Sequence, residues 1–155
     1  MRLVFCALAL SASALVFPAS AKADDASDGA KVEGLLKQLG QAYDRKSDTI
    51  FVVPMTGKNL GDFRVILATG DGLEVIFVVL AKQARIPDNI DLAKKMLRLN
   101  HEFDWVKVEI DDDGDADVRG DVSVRTLDAV ELKKNVAQVA AAADEAYGVM
   151  LPYLN

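Results

Sequence analysis

Apolar residues along this chain follow two rhythms, one of every second residue and one of every third or fourth, and their alternation lays out the fold. The densest apolar run, Leu73–Ala81, follows Gly70-Asp71-Gly72 and is rich in β-branched and aromatic residues, which marks it as a strand entered through a turn. A strand with one wet face alternates, because successive side chains point to opposite sides. After Glu74 this one does not. Leu73, Val75, Phe77 and Val79 line one face, Ile76, Val78 and Leu80 the other, so both faces require cover.

Around this run the remaining elements fall in order. Val32, Leu35, Leu36, Leu39 and Tyr43 form one helical stripe, weakened by Gly34 and Gly40. Residues 49–55 and 63–69 read as strands, with Pro54 confined to an edge or a strand end because it cannot donate to a ladder. Ile86-Pro87-Asp88 breaks the sheet and starts a helix, with Asp88 as the expected cap. Leu92, Met96, Leu99 and Phe103 share one face of that helix, with Ala93 and Leu97 beside them. Residues 106–110 and 116–125 alternate strictly and predict a hairpin with one dry and one wet face. Asp128 and Glu131 open a last helix whose stripe is Leu132, Val136, Val139, Ala143 and Tyr147, and Pro152 stops it. The expectation is an α+β fold in the order α-β-β-β-α-β-β-α, its helices packed on an antiparallel sheet of about five strands.

The first residues read differently. Arg2, the apolar residues 3–17 and Ala21-Lys22-Ala23 have the form of a signal peptide, cleaved before Asp24. Pro18, Ser20 and Lys22 interrupt the run before it reaches the roughly 20 residues of a membrane span. Residues 1–23 are therefore expected to be a leader and 24–155 a single domain, periplasmic or secreted, with no membrane span after cleavage. Losing Arg2 and Lys22 makes the chain two units more acidic than its formal charge of −6, which argues against nucleic acid as a partner. Losing Cys6, the lone cysteine, excludes disulfides, thiol nucleophiles and cysteine metal sites.

The element order, and above all the segment from Leu97 to Ala146, resembles the YbjN family. Leu97-Arg98-Leu99-Asn100 ends a helix, the strand 106–110 follows, and Asp113-Gly114 makes the turn into a second strand. Leu127-Asp128 then leads into Glu131-Leu132. The resemblance implies the fold of the type III secretion chaperones, with helices on a strongly curved antiparallel sheet. It also implies a small acidic non-enzymatic module that binds other proteins, commonly as a dimer. Secretion chaperones work in the cytosol whereas this chain has the marks of export, so the fold carries over and the secretion task does not.

Candidate chemistry is sparse. In the acidic stretch 111–117, Asp111, Asp113 and Asp117 occupy calcium-loop positions around Gly114, but Gly120 stands where a bidentate Glu belongs and the flanks are strands. A solvated Asp-Gly hairpin turn is the simpler reading, and weak calcium binding the alternative. His101, the single histidine, has no partner for a zinc motif, and Ser27, Ser47 and Ser123 lie in no nucleophile elbow. Phe103 and Trp105 read as anchors, with ligand stacking near Trp105 as the rival. The expectation is a non-enzyme without a cofactor.

What remains is surplus apolar surface. Three helices cover one face of a sheet, and Ile76, Val78 and Leu80, with Ile66 and Ala68 beside them, are assigned to the other. A contiguous apolar face is uncommon on a soluble monomer. Ile66, Ile76, Val78 and Leu80 are thus the candidate partner-binding residues, covered by a protein partner or a second subunit, and Val78→Glu is expected to break a dimer. The internal rival is that the first helix wraps round to cover them. A calcium- or ligand-responsive sensor is the alternative function.

Overall fold

The computed structural model describes residues 21–155; residues 1–20, most of the expected leader, lie outside the described residues, as does Cys6. The elements are α1 (Ala21–Gln38), β1 (Asp44–Arg45), β2 (Ile50–Gly57), β3 (Gly61–Gly70), β4 (Leu73–Ala81), α2 (Ile90–Glu102), β5 (Lys107–Ile110), β6 (Ala116–Ser123) and α3 (Ala129–Met150). The strands form one antiparallel sheet in the order β1-β2-β3-β4-β6-β5, which places β4 inside it. The architecture is α+β as expected, with β1 as a sixth strand only two residues long.

Local chemistry sets the boundaries. Helix α1 stops short of Tyr43 because Gly40 turns the chain through a left-handed conformation (φ +62°). Tyr43 packs edge-on against Phe51 instead, ring centroids 5.9 Å apart. Asn89, not Asp88, caps α2, its side chain accepting from the backbone N–H of Asp91 and Leu92. Leu92, Met96 and Leu99 are buried, whereas Leu97 is 69% exposed. Asp128 caps α3 by accepting from Glu131 N–H. Because β1 pairs only with Phe51 and Val52, Pro54 lies beyond its reach on the rim side of β2.

All three helices contribute to one core. Val32 and Leu36 of α1, Leu92 and Leu99 of α2 and Leu132, Val139 and Ala143 of α3 meet Phe51, Val65, Leu67, Ile76 and Val118 of the sheet. The run of small residues in α3 includes Ala140, Ala142, Ala143 and Ala146, all buried, which lets the helix lie close on the strands. At one point the approach is closer still. A Cβ on Gly120 would stand 1.7 Å from the Trp105 ring, so only glycine leaves room for the indole there. Trp105 in turn donates its Nε1–H to Gln138 Oε1 of α3 at 2.7 Å.

Candidate functional site: the open face of the sheet

Strand register decides which side chains are free. Ile76 pairs with Leu67, whereas Phe77 pairs with Ile66 and Val75 with Ala68. The two rows of β4 therefore lie on the sides opposite to those assigned from sequence. Ile76 (0%), Val78 (1%) and Leu80 (5%) are buried beneath the helices. Val75, Phe77 and Val79 are half-buried on the open side, in register with Ile66 and Ala68. Of the four candidates, only Ile66 sits on the uncovered face. Val78→Glu would thus strike the core. The internal rival is also corrected, because α1 packs on the same side as α3, with Val32 and Leu36 in the common core.

The open face has two characters. Across β2, β3 and β4 it is apolar, carrying Ile50, Val52, Ile66, Ala68, Val75 and Phe77. Across β6 and β5 it is charged, and the exposed charges pair with one another, whereas Asp117, opposite Val79, is buried with one carboxylate oxygen left without a partner among the described residues. Arg119, opposite Phe77, reaches Asp121 at 2.7 Å and Glu109 at 3.7 Å, while Lys107 meets Glu109 at 3.0 Å. This is the wet side of the second hairpin, as its alternation predicts.

The sheet also parts. The β3–β4 ladder runs from the turn only as far as Ile66 and Phe77, while β3 stays paired to β2 all the way out to Gly61. Beyond that point β4 is paired on its other side alone, Val78 to Val118 and Val79 to Asp117. Between the diverging lips is a cavity of about 970 Å³, lined by Phe63, Arg64 and Ile66 of β3, Val78 and Val79 of β4, and Pro54 and Met55 of β2. One carboxylate ties the tip of the outer hairpin to α3. Asp144 of α3 accepts from the backbone N–H groups of Lys58, Asn59 and Leu60 at 3.1, 2.7 and 2.9 Å. Those bonds, that to Leu60 first, hold its pKa below the usual carboxylate range. Gly57 makes room, since a Cβ there would stand 2.2 Å from an Asp144 carboxylate oxygen.

The acidic turn is mostly occupied by its own backbone. Asp111 Oδ1 accepts from Asp113 N–H and Asp115 N–H, and Gly114 supplies the left-handed residue (φ +81°). Asp115 is held by Lys82 Nζ and Gln83 N–H, and that pairing, with Lys82 first, lowers its pKa. Asp113 is exposed, while Asp117 is buried in the ladder beside Val79. Among the described residues no three acidic, histidine or cysteine side chains converge as a metal site. His101 is exposed in the last turn of α2. Trp105 borders a shallow hollow of about 360 Å³ with Asp121, Lys134 and Gln138.

Two carboxyls are strained by their surroundings. Glu74, fully buried at the head of the Ile76 row, accepts from Thr69 Oγ1 at 2.5 Å through one oxygen, while the other has no partner among the described residues. Burial pushes its pKa up to about 7 against the weaker pull of Thr69. Asp117 is pushed up to about 7 as well, by burial first and then by Glu109 and Asp111.

These features define a one-sided α+β layer whose helices seal one face and leave the other apolar at its centre. That is the fold of type III secretion chaperones. One chain of the heterodimeric complex ExoU-SpcU from the type III secretion system of Pseudomonas aeruginosa superposes with a TM-score of 0.54 at 16% identity, covering 80% of this chain and 98% of that one. A chain of the ExsC-ExsE complex gives 0.55 at 9% identity, covering 80% and 93%. The Yersinia pestis type III secretion chaperone SycH, in complex with a stable fragment of YscM2, gives 0.50 at 15%, covering 79% and 98%. No curated protein matches the chain. Residues 28–151 match the YbjN family, described as "Putative bacterial sensory transduction regulator", and the chain belongs to that family.

Proposed function

We propose that this chain is an exported, non-enzymatic protein-binding module that acts in a chaperone-like way through the open face of its sheet. The carrying observation is the apolar row Ile66, Val75 and Phe77, uncovered by any helix of the described chain. Covering large apolar side chains is worth about 1.5–3 kcal/mol each, so a partner gains by docking there. The solved relatives of this fold include complexes with protein partners, which supports the same use here. Export rests on the leader-like residues 1–23, and among the described residues no helix is long and apolar enough to cross a membrane.

The test is cross-linking in the cell envelope combined with light scattering, wild type against Phe77→Glu. A defined adduct or a dimer in the wild type, lost in a variant of unchanged circular dichroism, is the expected result. An adduct pattern and mass indifferent to Phe77→Glu would overturn the reading.

A further inference from the structure

Strands that part expose backbone. From Gly61 to Val65 on one lip and Val78 to Ala81 on the other, neighbouring ladder partners are missing among the described residues. Backbone N–H and C=O groups are obligatory hydrogen-bonding groups, and an open lip is a template for another strand. The β4 lip is the firmer of the two, because it is laddered to β6 on its far side and rooted in the core through Val78 and Leu80.

The side chains around the slot state what fits. Ile66 and Val79 offer apolar contacts from the open side, Met55 and Phe63 from the helix side. Asp62 is engaged by the Thr56 hydroxyl at 2.9 Å, while Arg64 is exposed and makes no ion pair among the described residues. A second copy of the folded domain has little to insert. Its rim strands are two and four residues long, and the longer one alternates Lys107 and Glu109 with its apolar residues. An extended segment of another polypeptide has the needed reach.

Resting on the protein-binding reading above, we propose that the slot between β3 and β4 receives an extended apolar peptide segment, paired backbone to backbone with β4 at Val78–Ala81 and presenting one carboxylate to Arg64. Binding of this kind draws affinity from main-chain bonds and register from the charge.

The probe is a panel of octapeptides alternating Val and Thr with one central Glu, followed by fluorescence anisotropy against the full-length chain. Binding is expected, with new hydrogen-exchange protection of amides within 78–81. Arg64→Glu, an exposed site, weakens it by about tenfold or more, and exchanging the central Glu for Lys restores binding to that variant. N-methylation of alternate peptide nitrogens abolishes binding at the β-pairing frame. Absence of binding by the whole panel, equal binding by Arg64→Glu, or equal binding of both N-methylated frames overturns the proposal. The two readings separate cleanly: adducts lost in Phe77→Glu with no peptide binding remove the slot and keep the open face. Adducts indifferent to Phe77→Glu together with no binding by the panel remove both.

Discussion

The two rows of β4 are made of the same kinds of residue and do different work. Ile76, Val78 and Leu80 are sealed under the helices, whereas Val75, Phe77 and Val79, one position away, lie half-buried on the open side. Hydrophobicity therefore does not distinguish a row that holds the fold from a row that offers a surface. Register does, because a shift of one residue exchanges every side chain between the faces. The lesson extends to charge: the row headed by Glu74 is the dry one, and the row flanked by Arg119 and Asp121 is the wet one.

Substitutions at adjacent positions of β4 separate its two rows most strongly. Val78→Glu buries an unpaired carboxylate in the core and is expected to cost on the order of 4 kcal/mol, seen as a collapse of the urea midpoint. Phe77→Glu, placed next to it in sequence but half-buried on the open side, should lower the midpoint far less. Equal losses in both would mean that the two rows are not distinct.

The buried carboxyl at the head of the sealed row makes stability depend on pH. The carboxyl of Glu74 titrates at about 7 when folded against 4.5 when free. Below about 4.5 both states hold the proton and its full contribution to stability is present. As pH rises to about 7 only the folded chain retains it, so stability falls across that window. Asp117 acts in the same direction between 3.8 and about 7. Glu74→Gln should reduce the fall by up to about 3 kcal/mol in urea titrations at pH 4.5 and 7.5. A fall of unchanged size would assign the effect elsewhere.

The smallest effect concerns the outer hairpin. Asp144→Ala removes the acceptor for three backbone N–H groups at 58–60, and faster hydrogen exchange confined to that turn is expected with global stability little altered. Protection unchanged at 58–60 would show that the clamp is unnecessary.

Most of the fold is legible in the chain because its signals are local. Alternation in 106–110 and 116–122 marks the second hairpin and its dry face, and the stripe of α3 is readable from Leu132 to Ala143. The caps were readable in kind, although Asn89 outcompetes Asp88. What local signals do not carry is how β4 registers against β6, a partner reached only after α2 and β5. With Phe77 opposite Arg119, the wet row of the hairpin identifies the wet row of β4 at once. Without that register, the carboxylate of Glu74 argues for the wrong side, since a charged residue at the head of a row is seldom fully buried. The slot is hidden for the same reason: nothing in Phe63-Arg64-Val65 announces that its ladder stops.

The seat that Gly120 provides for the indole of Trp105 has a practical corollary. The chain contains one tryptophan, wedged between β6 and α3, so its ultraviolet emission is a built-in gauge of whether helix and sheet remain joined. Because the indole packs on the helix side of Gly120, its emission is expected to redden on unfolding and to change little when Phe77 alone is covered. One optical signal thus separates loss of grip from loss of shape.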